Sequence, residues 1–209
     1  MLHYNKDYFD WQKKIGQIGG VANKFKFAGN IGENDILLDF GSGGGYMLKN
    51  FKCKEKLGIE INPTAREEAK INGIKSVESI DEVADEFADM IISHHALEHV
   101  PDPLGTLKQL RSKLKNGGWI VVVVPHDCCE LKYNPSDINQ HLYTWNRQTL
   151  GNLFRKAGFT NIQVNNIRSK WPPYYYKIYE IFGLKIFNSV CHLYALIKRN
   201  YQIKIVAKK

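Results

Sequence analysis

Between residues 35 and 125, five short apolar runs alternate with stretches of helical composition. The runs are "DILLDF", "KEKLGIE" (54–60), "IKSVE", "ADMIISH" (88–94) and "WIVVVVP" (119–125). Among the intervening stretches, "NPTAREEAKING" ends on glycine. "DPLGTLKQLRSKLKNGG" sets Leu104, Leu107, Leu110 and Leu114 at helical spacing before a Gly-Gly stop. This order, with short links, predicts a mostly parallel sheet flanked by helices and joined by right-handed crossovers. The unbroken run "WIVVVVP" suits a strand covered on both faces. Ligands of such sheets bind at the carboxyl ends of the strands. The unusual residues lie there: Asp39 to Gly45, Glu60, His94 and His95, and Pro125 to Asp127.

Elsewhere the pattern is looser. Residues 1 to 30 read as a lead-in of one or two helices, broken by "GQIGG" at 16–20. "YMLKNF" is suited to open a helix and "DEVADEF" to form a short acidic one. After the fifth strand, "HDCCELKYNPSDINQHLY" (126–143) reads as an irregular active-site loop. "TWNRQTLGNLFRKAGF" follows as a helix, capped by Thr144 or Asn146 and stopped by Gly158. "TNIQVNNIR" is a sixth strand, and "YQIKIVAK" (201–208) is a final strand expected to pair antiparallel with it. The whole chain, 1–209, reads as one domain whose sheet has seven strands, with a helical insertion before the last.

Charge and cysteines narrow the setting. The formal net charge of +8 favours anionic partners without choosing among an anionic substrate, an acidic membrane surface and nucleic acid. The lysines are scattered, and no basic block is interleaved with aromatics, so nucleic acid is not the expected partner. The four cysteines, at 53, 128, 129 and 191, have neither metal-ligand nor disulfide spacing and read as reduced thiols of a cytoplasmic protein. The start "MLHYNKDYFDWQKK" has no apolar core of a signal peptide.

The stretch "ILLDFGSGGGYML" (36–48) carries the chemistry. A strand, a glycine turn and a helix N-terminus form a cradle in which a ligand approaches the backbone. The spacing Asp39-x-Gly41-x-Gly43-x-Gly45 differs from the usual dinucleotide fingerprint. A carboxylate before the first glycine suits a cationic or amine-bearing ligand better than a pyrophosphate. A structural carboxylate that binds the glycine loop's N–H groups is the other reading of Asp39. Glu60, 15 residues after Gly45 at the end of the second strand, is placed to accept two hydrogen bonds from ribose hydroxyls. That feature alone also fits NAD.

With these residues in view, the chain resembles the class I S-adenosylmethionine-dependent methyltransferases, in the small-molecule branch that includes ubiquinone and menaquinone biosynthesis enzymes. The resemblance runs from about residue 34 to 168, plus the final strand. It rests on "LLDFGSGGG", "GIEINPTAREEAK", "FADMIISHHALEHVPDPLGTLKQLRSKLKNGGWIVVVVP" and "HLYTWNRQTLGNLFRKAGF". It implies a Rossmann-like α/β fold and S-adenosyl-L-methionine as cofactor. Asp39, Gly41, Ser42, Gly43 and Gly45 then surround the methionine part, Glu60 takes the ribose and Ile61 lies beside the adenine. Ser79 and Ile80 occupy the adenine-contact region, although "VESIDEV" departs from the usual pattern there. His94 faces cofactor or acceptor, and Glu98 and His99 shape the site floor. Gly44 is extra to the pattern. The competing functions are an NAD-dependent oxidoreductase or epimerase, opposed by the glycine spacing and "LEHVPDP", and a non-catalytic scaffold of the same fold.

Methyl transfer is an in-line displacement, so the enzyme mainly aligns an acceptor and excludes water; a base is needed only for an O–H or weak N–H acceptor. Of seven histidines, five fall on the expected rim: His94, His95, His99, His126 and His141. His95 is the first choice for base or orienting group and His141 the second. On an extended strand His94 and His95 cannot easily both face the pocket. Convergence of His95, His99, Asp127 and His141 would suit a metal, but the following "PDP" argues that His95 and His99 precede the helix, and no metal is expected. The expected acceptor is a small molecule, including lipid- or sugar-linked ones. "WPPYYYKIYEIFGLKIFNSVCHLYALIK" (171–198) carries Ile178, Phe182, Ile186, Val190, Leu193 and Ile197 as one helical stripe. Three readings stay open: a core helix, a lid or homodimer surface, or a peripheral contact with the inner face of a membrane.

Overall fold

The computed structural model describes residues 6–126 and 132–209. Seven strands form one sheet: β1 (Ile36–Phe40), β2 (Glu55–Ile59), β3 (Lys75–Val77), β4 (Ala88–His94), β5 (Leu114–Pro125), β6 (Thr160–Ile167) and β7 (Gln202–Lys208). Their spatial order is β3-β2-β1-β4-β5-β7-β6. β1 to β5 are parallel, and β7 runs antiparallel between β5 and β6. This is the expected α/β architecture with an antiparallel last strand. The helices are α1 (Lys6–Ala22), α2 (Pro63–Ile71), α3 (Pro103–Lys113), α4 (Arg147–Lys156) and α5 (Tyr175–Ile197), the last being the insertion before β7.

The core follows from the alternation. Leu38, Ile91, Ile120, Val122 and Val124 bury on one face of the sheet; Leu37, Met90, Ile92, Val121 and Val123 bury on the other. Both faces of β5 are dry, which accounts for its uninterrupted apolar run. In β7, Ile203, Ile205 and Ala207 are fully buried. Local signals fix the helix ends. Asn62 caps α2 through Thr64 N–H, Asp102 caps α3 through Gly105 N–H, and Asn146 caps α4 in a reciprocal pair with Thr149.

Four local expectations are corrected. α1 runs straight through Gly16, Gly19 and Gly20 instead of breaking there. A side chain at Gly20 would stand 2.3 Å from the Tyr46 carbonyl oxygen, and one at Gly16 2.7 Å from the Tyr46 ring. The glycines let the helix approach the loop after β1, and that contact outweighs their weak helix propensity. After the glycine turn there is only a single 3₁₀ turn, Leu48–Asn50, not an α-helix. Gly45 at φ 71° and extended Phe51 leave too short a span, and Asn50 Nδ2 bonds the Tyr46 carbonyl. "DEVADEF" likewise gives only a 3₁₀ turn, Ile80–Glu82, which extended Val83 terminates. Leu114 belongs to β5, where it pairs with Ala88, and not to the preceding helix.

α5 departs from its expected stripe. Gly183 (φ 71°, ψ 178°) kinks it. The buried residues are Phe187, Cys191 and Ala195, and the first two pack with Ala22, Trp171 and Tyr175. Phe182, Ile186, Leu193 and Ile197 of the sequence stripe face outward.

Candidate active site

The strand order reverses between β1 and β4, so a crevice opens at their carboxyl ends. The two ends are adjacent: Phe40 pairs with Ser93, whose Oγ donates to the Phe40 carbonyl at 2.9 Å. A cavity of about 1280 Å³ fills this crevice. It exceeds the ~300–1,000 Å³ usual for one small ligand and has room for two reactants.

One end is the glycine loop. Gly41 and Ser42 N–H both donate to the Ile59 carbonyl, which draws the loop over the end of β2. Gly41 (φ 79°) lies so close to Ala96 that a side chain would stand 2.5 Å from its Cβ, whereas Gly43 (φ 52°) has open space beside it. Gly45 (φ 71°) packs on Ile74 and does not line the cavity. Gly44 does line it, and its place is explained by Tyr46, whose ring would lie 2.7 Å from an added Cβ. Tyr46 donates to Glu68, which also binds Lys13 of α1, so the loop and the N-terminal helix are clasped together.

The acidic pair divides its work differently from expectation. Glu60, not Asp39, binds the loop: its carboxylate accepts from Gly43 N–H and Asn62 N–H, each at 2.8 Å. It lines the cavity beside Ile61, Ser79 and Ile80, so a ribose would meet its remaining lone pairs. Asp39 is buried on the cavity wall. Burial, and then the neighbouring Glu60 charge, pushes its carboxyl up to about 8. Burial also raises Glu60, while its two backbone N–H bonds oppose the rise. The Asp39 carboxyl is therefore held mostly protonated at neutral pH, and a cationic ligand would favour its ionised form.

The other end is a histidine wall, and here the sequence expectation is corrected. Both His94 and His95 line the cavity. His95 leaves the strand in a left-handed conformation, φ 55°, while its N–H still donates to Val123. This turn abolishes the alternation of an extended strand, and the two rings stack at 4.3 Å with 13° between their planes. Burial, followed by the charge of Lys26, lowers both imidazoles, His95 to about 3. They are neutral at pH 7 and serve as hydrogen-bonding groups rather than cations.

His99 also lines the cavity, but His126 and His141 do not. The His126 ring stacks on Tyr201, and its Nδ1 lies 3.0 Å from the Trp145 carbonyl oxygen. His141 meets His99 edge-on at 5.0 Å. Fully buried Glu98 joins them: one ligand atom from each of Glu98, His99 and His141 lies within 4.8 Å of the others, a set able to hold an ion. The Glu98 carbonyl accepts from Leu142 and Tyr143 N–H and so fastens the 132–146 loop to the site. Asp127, Cys128 and Cys129 lie outside the described residues. Cys53 and Cys191 are free thiols.

Residues that the sequence did not single out complete the cavity: Gly16, Gly19, Gly20 and Asn23 from α1 and the turn after it, and Gln202 from the start of β7. Trp171 also lines it. Lys26 lies behind the histidines, 2% exposed. Their only sequence signal is the run of glycines in α1; the others depend on distant segments meeting.

Together the sheet order, the glycine loop and the acid at the end of β2 define a class I S-adenosylmethionine-dependent methyltransferase fold. A model of the methyltransferase domain family matches residues 17–164, and the chain belongs to that family. Family and fold make it a methyltransferase domain of the S-adenosylmethionine-dependent type. A possible histamine N-methyltransferase from Thermotoga maritima superimposes with a TM-score of 0.70 at 15% identity, covering 97% of this chain and 95% of that one. An S-adenosylmethionine-dependent methyltransferase from Archaeoglobus fulgidus gives 0.68 at 18% identity, covering 97% and 99%. Among curated proteins, the ubiquinone biosynthesis O-methyltransferase of Nitrosomonas europaea is 26% identical over 115 residues, 49% of this chain and 44% of that protein. That of Saccharophagus degradans is 32% identical over 96 residues, 40% of this chain and 41% of that protein. The matches thus span under half the length of these relatives.

The residues fit the cofactor. The open face at Gly43 admits a ligand against the backbone, and the buried Asp39 carboxyl awaits a positive charge. Glu60 stands where ribose hydroxyls would be bound. When bound, the cofactor supplies an electrophilic methyl group on a sulfonium. The chain's own residues would hold it at the glycine loop, and His94, His95 and His99 line the rest of the cavity.

Proposed function

We propose that the chain methylates an oxygen of a small, amphipathic acceptor. The observation that supports this reading is one continuous cavity with the Asp39–Glu60 cradle at one end and the neutral His94–His95 wall at the other. An O–H acceptor needs hydrogen-bond acceptors beside it, and neutral imidazoles supply them. The two O-methyltransferase relatives favour the same acceptor atom. Two measurements test the reading. S-adenosylhomocysteine at 100 times its Kd should stabilise the protein by about 2.7 kcal/mol, and NADH should not. Radiolabelled methyl transfer across hydroxylated aromatics, prenylated phenols, sugars and amines should then favour phenolic oxygen. Stabilisation by NADH alone, or transfer only to amines, would overturn it.

The exposed side of α5 supports a peripheral membrane site. Ile181, Phe182, Ile186, Leu193 and Ile197 are exposed, and Lys177, Lys185, Lys198 and Arg199 outnumber Glu180 around them. Only 17% of its most apolar window is buried. An anionic lipid surface complements both features. The opposite side of α5 holds Trp171, which lines the cavity, so a membrane-borne acceptor would have a short route in. Sedimentation with phosphatidylglycerol vesicles should capture the protein, and Ile181→Asp/Ile197→Asp should release it. Equal capture by phosphatidylcholine, or a dimer in light scattering that the same substitutions dissociate, would overturn the lipid assignment.

A further inference from the structure

Lys26 is the least expected residue of the molecule. It sits on a 3₁₀ turn, Lys24–Lys26, that follows α1, and it is buried. Its Nζ lies 2.9 Å from His94 Nε2 and donates to Gln202 Oε1 at 2.5 Å. Among the described residues no carboxylate forms an ion pair with it. The groups facing it are His94, with His95 stacked beyond, from β4; Gln202, which is neutral, from β7; and Cys191 from α5. A lysine buried without a counter-ion stands where the chain could have placed leucine at lower cost. Two of its neighbours, His94 and Gln202, line the cavity, and Lys26 does not.

We infer that Lys26 is a positioning residue for acceptor deprotonation: it sets the tautomer of His94 and takes up the proton that the acceptor loses. The inference rests on the O-methylation reading above. An ammonium at Nζ can only donate, so His94 Nε2 must then be bare and its proton must reside on Nδ1. A neutral amine can instead accept a hydrogen bond from Nε2–H, which leaves Nδ1 bare. In that state His94 takes a proton from an acceptor hydroxyl on Nδ1 and passes its Nε2 proton to Lys26. The acceptor oxygen leaves with the methyl group, the imidazole ends neutral, and Lys26 ends as an ammonium. Gln202 holds Nζ in line throughout.

Geometry gives the path, and proton affinity agrees with it. Burial brings Lys26 down to about 7, and His95 stands at about 3. A group matched to neutral pH makes the better base, so the lysine fits the task and His95 does not. The sign follows: below pH 7 the charged lysine locks His94 in the Nδ1–H form, and above it the Nε2–H form becomes available.

The test needs no acceptor. In histidine-15N protein, long-range proton–nitrogen spectra read the His94 tautomer directly, with His94→Gln identifying the signal. The expected result is an Nδ1–H form at pH 5.5 that gives way to Nε2–H with a midpoint near 7 (about 7 by burial of the lysine). In Lys26→Met this transition should vanish while the fold, read by amide dispersion, persists. Should the methionine variant fail to fold, Lys26→Arg serves: its guanidinium stays charged and should hold the Nδ1–H form to pH 9. A His94 signal that does not move between pH 5.5 and 9, or a transition that survives in either variant, would overturn the inference. Failure of the acceptor panel to find an oxygen substrate would not alter these spectra, so the two readings fail separately.

Discussion

Binding of S-adenosylmethionine at pH 7 should expel a proton from Asp39. The carboxyl stands at about 8 because it is buried beside Glu60. A group with that value is roughly 90% protonated at pH 7 and roughly 10% at pH 9. Gly43 and Asn62 N–H bonds favour the ionised form of Glu60 against its burial, whereas among the described residues no such bond opposes the rise at Asp39. A sulfonium and an ammonium arriving in the cradle favour the ionised form. The expected release is therefore ~0.9 proton per cofactor at pH 7, falling to ~0.1 at pH 9. Over the same range log Kd should improve with a slope near one per pH unit below 7 and flatten above 8. Titration calorimetry in phosphate and Tris, whose ionisation enthalpies differ, counts the protons. Asp39→Asn should bind more weakly and release none. In the cofactor-free protein the folded value lies above the unfolded 3.8, so Asp39 contributes stability fully below about pH 4 and loses it as pH rises through about 8. A buffer-independent enthalpy at pH 7, or full release from Asp39→Asn, would refute the assignment of the proton to this residue.

Three further outcomes are expected. Glu60→Ala removes an acceptor from Gly43 and Asn62 as well as from the ribose. It should cost roughly 1.5–3 kcal/mol of affinity for S-adenosylhomocysteine by calorimetry, and an unchanged Kd would remove its ribose role. Gly20→Ala forces a methyl group against the Tyr46 carbonyl and should cost about 1–3 kcal/mol, read as a lower Tm at roughly 2–4 °C per kcal/mol. A neutral result would mean that α1 can retreat. His95→Ala should leave S-adenosylhomocysteine affinity nearly intact and lower turnover less than the ~10²-fold typical of losing a general base, with the pH profile unshifted. Equal turnover on the true acceptor would remove His95 from the catalytic wall.

The sheet was legible because its signals are local. Each strand from Ile36 to Pro125 is a compact apolar run, and each link carries its own cap or stop, as Asn62, Asp102 and Gly73 show. The cradle was legible for the same reason, since Asp39, Gly41, Gly43 and Glu60 lie on or just after two strands that pair in register. Features made by distant segments were not. Gly16 and Gly20 read as part of a helix break until Tyr46 is seen against them, 26 or more residues away along the chain. Lys26 carries no motif; its meaning depends on Gln202 meeting it across 176 positions. His95 was placed at the right strand end, but only its positive φ reveals that both histidines face one cavity. The amphipathic stripe of α5 was visible, but which face the rest of the molecule would cover was not.

The clasp of α1 onto Tyr46 has a consequence for how the molecule divides. The helix lies wholly before the first strand, so a chain beginning near Gly29 would retain every strand but lose Phe27, fully buried in the core beside Leu37, Met90 and Val121. It would lose Gly16, Gly19, Gly20, Asn23 and Lys26, one whole side of the cavity and the support behind His94. The segment before β1 therefore serves the core through Phe27 and the binding cavity through its glycines at once.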